Sequence, residues 1–119
     1  MKTPPKISDS EWEIMRILWE ESPLTSYQIQ ERTKIHLQTA KTYLSRLLKK
    51  GAIGFKKSGR FYLYRPLFSE VECQKNASRS FLDRVFGGSL QPMLSHLVDE
   101  NALDADEISK LQAILNERK

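Results

Sequence analysis

Apolar positions near the start of the chain recur at helical spacing. Trp12, Met15 and Trp19 fall on one side, and Ile14, Ile17 and Leu18 widen the stripe. So broad a stripe implies a helix buried over much of its circumference. Ser8 precedes Glu11 by the capping-box interval, Pro4 and Pro5 lie upstream, and Pro23 ends the element. Thr25 and Gln28 repeat the interval and open a short second helix reaching about Thr33, with Tyr27 and Ile29 as its main apolar residues. Lys34-Ile35-His36-Leu37 reads as a turn. A third helix runs from Gln38 to Lys50 and stops at Gly51, a residue suited to a left-handed helix end.

The period then changes. Ile53 to Lys57 and Arg60 to Tyr64 nearly alternate and are rich in β-forming residues; Ser58-Gly59 between them signals a hairpin, and Pro66 closes the second strand. This alternation assigns Phe61 and Leu63 to the core side, with Tyr62 and Tyr64 opposite. From Ser69 onward helical spacing returns. Ser69 with Glu72 forms another capping box, a stripe through Phe81, Leu82, Val85 and Phe86 ends at Gly87-Gly88, and Leu90, Met93, Leu94, Leu97 and Val98 form the next. Asp104 with Glu107 opens a last helix bearing Ile108, Leu111, Ile114 and Leu115. The expected class is mainly α with a small β-hairpin: a winged helix-turn-helix over residues 1–67, then a C-terminal helical dimerisation segment over residues 68–119.

Charge sharpens this picture. The net charge is +4, yet residues 34–65 carry nine Lys/Arg and no acid. A solvated surface normally interleaves the signs, because i, i+4 acid–base pairs stabilise helices; an acid-free basic stretch suits a polyanion. On a wheel at about 100° per residue, Ala40, Leu44, Leu47 and Leu48 share the core side of the third helix, flanked by Tyr43. Thr39, Thr42, Arg46 and Lys49 lie opposite, with Gln38 and Ser45 beside them. Arg46 can pair with guanine, Gln38 with adenine, and the threonines offer a methyl to thymine, so Gln38, Thr39, Thr42 and Arg46 are the candidate base readers. Lys41, Lys49 and Lys50 are placed to neutralise phosphates, as are Lys56, Lys57 and Arg60 around the hairpin tip. The competing readings are an ordinary solvated amphipathic helix and an edge hairpin kept soluble by lysines.

Other chemistry is thin. Cys73 is the single cysteine, and His36 and His96 stand far apart without neighbouring ligands, so no metal site and no cofactor are expected. No nucleophile–base pairing is legible, which speaks against an enzyme. No apolar run approaches the ~20 residues of a membrane span, the first residues lack a secretory signal, and a cytoplasmic location is expected. The C-terminal helices are too few to make a core alone. Phe81, Leu82, Val85, Phe86, Leu90, Met93, Leu94, Leu97, Val98, Leu111 and Leu115 are the expected interface of a homodimer; folding back onto the N-terminal domain is the alternative.

Three stretches, Ser8-Asp9-Ser10-Glu11-Trp12-Glu13-Ile14-Met15, Thr39 to Gly51 and Gly59 to Leu67, together resemble the penicillinase-repressor family across nearly the whole chain. The resemblance implies a dimeric transcriptional repressor on a palindromic operator in double-stranded DNA. It implies that Thr39, Thr42 and Arg46 read bases and that the C-terminal helices dimerise. In the β-lactam-responsive branch a sensor protease triggers cleavage of an Asn-Phe bond; the matching position here is His96-Leu97, a departure from that pattern. A winged-helix protein-interaction module and a nonspecific architectural DNA binder are the other functional readings.

Overall fold

The computed structural model describes residues 2–118. Its elements are α1 (Asp9–Glu20), α2 (Ser26–Glu31), α3 (Leu37–Lys50), β1 (Ile53–Ser58), β2 (Phe61–Pro66), α4 (Glu70–Phe86), α5 (Leu90–Asp99) and α6 (Ala105–Glu117). The chain divides into two units, Met1–Ser78 and Arg79–Lys119, with the division inside α4.

Local chemistry sets the helix starts. Ser8 Oγ accepts from the Glu11 amide at 3.3 Å while Glu11 Oε1 accepts from the Ser8 amide at 3.0 Å. Thr25 with Gln28 and Ser69 with Glu72 make the same reciprocal pair. Asp104 Oδ1 accepts from the Glu107 amide at 2.8 Å. Each cap satisfies amides that have no partner in the first turn, for about 1 kcal/mol. At the far end of α3, Gly51 takes φ of 80°, and the left-handed turn it makes aims the chain into β1.

In the N-terminal unit, α3 packs against α1 and α2 and on β1. Ile14, Met15 and Leu18 of α1, Ile29 of α2, Leu44 and Leu47 of α3, and Ile53 of β1 form one fully buried cluster. Trp12 and Trp19 pack against it with ring centroids 5.7 Å apart, and Trp19 Nε1 donates to the Phe68 carbonyl at 2.9 Å. Buried Cys73 joins the same cluster, and Asn76 Nδ2 donates to the Pro4 carbonyl at 3.0 Å. These contacts explain why the first unit runs to Ser78 rather than ending near residue 67.

Two features of the hairpin differ from the expectation. Ser58 pairs with Phe61, so the connection is Gly59-Arg60, one residue later, with Gly59 at φ of 63°. Phe55 faces Tyr64 across the ladder and lies two residues from buried Ile53, so Tyr64 shares the face of Ile53. Tyr64 therefore packs on the core, and Phe61 is left 46% exposed. A bridge from Leu24 completes the arrangement: its amide donates to the Tyr64 carbonyl at 3.1 Å and its carbonyl accepts from the Tyr64 amide at 2.8 Å. One paired residue carries no periodic signal, which is why the pattern of the chain did not reveal a third strand position.

Glu11 is the one buried charged residue among those described, 1% exposed within the α1 stripe. Lys50 Nζ meets its Oε1 at 2.5 Å and also donates to the Lys6 carbonyl at 2.8 Å. Burial pushes the Glu11 carboxyl up, but the Lys50 hydrogen bond, the Ser8 amide and the Lys50 charge together hold it below its ordinary 4.5. A depressed carboxyl contributes stability that is complete above that ordinary value and is lost as pH falls through the lower folded value. Urea unfolding between about pH 5 and pH 2 is thus expected to show an acid-dependent loss that is shallower in Glu11→Gln. Identical slopes for the two proteins would remove Glu11 from the acid response.

Candidate nucleic-acid interface

The helix that buries Ala40, Leu44 and Leu47 turns its other side outward. Gln38, Lys41, Thr42, Ser45, Arg46 and Lys49 are exposed and Thr39 is half-buried, as expected from a 3.6-residue period with one buried stripe. Thr42 Oγ1 donates to the Gln38 carbonyl at 3.0 Å, so its proton is used within the helix, while the oxygen lone pairs and the methyl remain available. The Arg46 guanidinium lies 6.0 Å from the Tyr43 ring centroid, and the Lys41 ammonium 5.4 Å from that of Tyr27 on α2. These cation–π contacts pre-order two long side chains without neutralising them.

Lys56, Lys57 and Arg60 are all exposed at the hairpin end. They do not form a single row. Lys57 faces Tyr62 and Lys56 faces Leu63 across the ladder, so the two lysines project from opposite faces while Arg60 sits in the turn itself. Arg60 and Lys41 line one crevice together with Tyr27, Phe61, Tyr62 and Tyr64, which joins the α3 surface to the wing. Among the described residues, the ion pairs are Arg32–Glu21, Lys50–Glu11, Arg79–Asp83 and Lys110–Asp106. Lys41, Arg46, Lys49, Lys56, Lys57 and Arg60 enter none of them.

Lys50, expected among the backbone contacts, is engaged within the fold. Its ammonium is committed to buried Glu11 and to the Lys6 carbonyl, and freeing it for a phosphate would strand a buried carboxylate. The clue was present in the sequence: Glu11, Ile14, Met15 and Leu18 follow i, i+3, i+4, i+7, so an acid sits on a buried stripe and requires a cation. The crevice was not legible, because Tyr27, Lys41 and Arg60 come from three elements with no shared spacing.

The second unit looks different. None of its described residues is buried: Leu82, Phe86, Met93, Leu94 and Leu97 are half-buried, and Phe81, Val85, Leu90, Val98, Leu111 and Leu115 are exposed, along with Ile114, which the expected interface omitted. Phe86 lies 6.0 Å from Phe81 and 6.1 Å from His96 by ring centroid. No group of three or more potential metal ligands occurs among the described residues, and no helix is long and apolar enough to cross a membrane.

Residues 7–117 match the family described as penicillinase repressor. The penicillinase repressor of Bacillus licheniformis is 37% identical over 123 aligned positions, covering 100% of this chain and 96% of that protein. The methicillin resistance regulatory protein MecI of Staphylococcus aureus strain N315 is 31% identical, with 95% of each chain covered. Among solved structures, the monomeric form of Bacillus licheniformis BlaI in complex with the blaP half-operator is 34% identical, with a TM-score of 0.52 over 60% of this chain and 93% of that one. With a winged-helix N-terminal unit and a match spanning almost its full length, this chain belongs to the penicillinase repressor family.

Proposed function

We propose that the protein is a non-enzymatic, sequence-specific transcriptional repressor in the cytoplasm that binds a palindromic operator as a homodimer, with the winged helix of residues 1–67 reading DNA and helices within residues 68–119 joining the protomers. One observation carries the DNA-binding part: the outer face of α3 and the hairpin end expose Lys41, Arg46, Lys49, Lys56, Lys57 and Arg60 within a stretch, residues 34–65, that contains no acid. In this reading α3 enters the major groove, where Gln38, Thr39, Thr42 and Arg46 contact base edges. Lys41, Lys49, Lys56, Lys57 and Arg60 contact phosphates. The family membership and the operator-bound BlaI relative support the same assignment.

The homodimer rests on the second unit. A set of amphipathic helices that buries no side chain of its own leaves its apolar stripes in water, and a two-fold copy supplies the missing face. Two-fold symmetry also places two copies of α3 for two half-sites. A sensor protease is a further partner in this reading. The His96-Leu97 bond lies within helix α5, so cleavage there requires that turn to unwind first.

Selection of bound duplexes from a random pool, followed by competition against bulk DNA, tests the proposal. A repressor enriches an inverted repeat and prefers it by roughly 10³-fold or more. Binding without enrichment would mark an architectural protein, and no binding at low salt would leave a protein-interaction module. Lys57→Ala is expected to weaken every duplex alike and to lower the slope of log affinity against log salt by about one unit. A loss confined to particular sequences would show that the wing reads bases.

A further inference from the structure

We infer that the crevice between α2, α3 and the wing turn binds a small aromatic carboxylate, and that its occupant competes with duplex DNA. The crevice has a volume of about 390 Å³, enough for a compact ring compound. Around it stand Tyr27 of α2 and Phe61 and Tyr62 of β2, which are 49%, 46% and 46% exposed. Large aromatic side chains left half in water around one concavity favour a guest, because covering their ring surface releases water.

The geometry selects the class of ligand. Tyr27 and Phe61 meet edge to face with centroids 6.3 Å apart, and Phe55 supports Tyr62 in the same manner at 4.9 Å. Rings braced in this way offer faces and edges to a planar guest without reorganising. Lys41 and Arg60 supply two cations at the same crevice, and no carboxylate lines it. An aromatic acid satisfies both halves: its ring packs on the tyrosines and its carboxylate accepts charge-assisted hydrogen bonds from Lys41 and Arg60. A neutral aromatic leaves the cations unanswered, and an aliphatic acid leaves the rings unstacked. The competition rests on the function proposed above, since Lys41 and Arg60 cannot serve a carboxylate and a DNA phosphate together.

Benzoate is a sufficient probe. Titrated into the full ¹⁵N-labelled chain without DNA, it is expected to give saturable amide shifts at Tyr27, Lys41, Arg60 and Tyr62 with a Kd of about 1 mM or tighter. Benzamide and cyclohexanecarboxylate at equal ionic strength are expected to bind at least about tenfold more weakly. Phe61→Leu, an exposed substitution at a crevice residue that neither contacts DNA nor orders a contacting cation in this account, loses benzoate to a similar extent and keeps its duplex affinity. In the presence of the selected duplex, benzoate lowers the affinity of the unaltered protein and leaves that of Phe61→Leu unchanged. Shifts that do not saturate, that fall elsewhere, or that are equal for all three probes overturn the site. Benzoate binding with unaltered duplex affinity overturns the competition. A protein that takes benzoate but no duplex keeps the site and sinks the proposed repressor function instead, so the two failures are separable.

Discussion

Arg46→Ala is expected to weaken binding to the selected operator by about 1–3 kcal/mol, roughly 5- to 150-fold, while affinity for unrelated duplexes falls far less. The reason lies in what the guanidinium can do that a lysine or a solvated polar residue cannot. It presents two parallel donors in a rigid fork, matching the two acceptors of guanine in the major groove. Arg46 is exposed on the outward side of α3 and rests against the ring of Tyr43, so its guanidinium is partly ordered and uncommitted to any acid, as the proposed guanine contact requires. The signature of a base contact is relaxed preference at one base pair per half-site, read by repeating the selection with the variant. A loss shared equally by all duplexes would reassign Arg46 to a phosphate, and no loss at all would take it out of the interface.

Leu47→Ala, one residue along the same helix, is expected to act through the fold instead. Leu47 is fully buried in the cluster that also holds Ile14, Met15, Leu18, Ile29 and Leu44. Removing its branched end forfeits burial and leaves a cavity that a densely packed core closes only in part, at a cost of about 2–5 kcal/mol. For a unit of this size that is a large share of the total stability. Urea unfolding reports the loss directly. DNA binding by the folded fraction keeps its sequence preference, which separates the two faces of α3. A change in preference at unaltered stability would mean that the buried and reading faces are misassigned.

The contrast between Arg46 and Leu47 explains why the outer face of α3 was visible in the chain itself. A helix with one buried stripe announces its outer face by subtraction, so Gln38, Thr42, Arg46 and Lys49 could be placed from spacing alone. Helix starts at Ser8, Thr25, Ser69 and Asp104 were equally plain, because a cap needs a particular side chain at a particular interval. What escaped was tertiary. The strand alternation was read with the wrong face inward, since only pairing to buried Ile53 through the β1–β2 register settles where Tyr64 points. The role of Lys50 depended on Glu11, thirty-nine residues away, and the crevice depended on three elements meeting. Cys73 looked like part of the C-terminal segment, yet it is buried with the N-terminal core, and this moves the compact unit's edge into α4.

Amide chemical-shift mapping of the full chain against a duplex carrying the selected inverted repeat tests the DNA-binding surface most directly. The largest changes are expected at Gln38 to Lys49 and at Lys56 to Arg60, with α5 and α6 unmoved relative to the DNA-free protein. Shifts concentrated on α1 or on the C-terminal helices, with the outer face of α3 silent, would contradict the assignment.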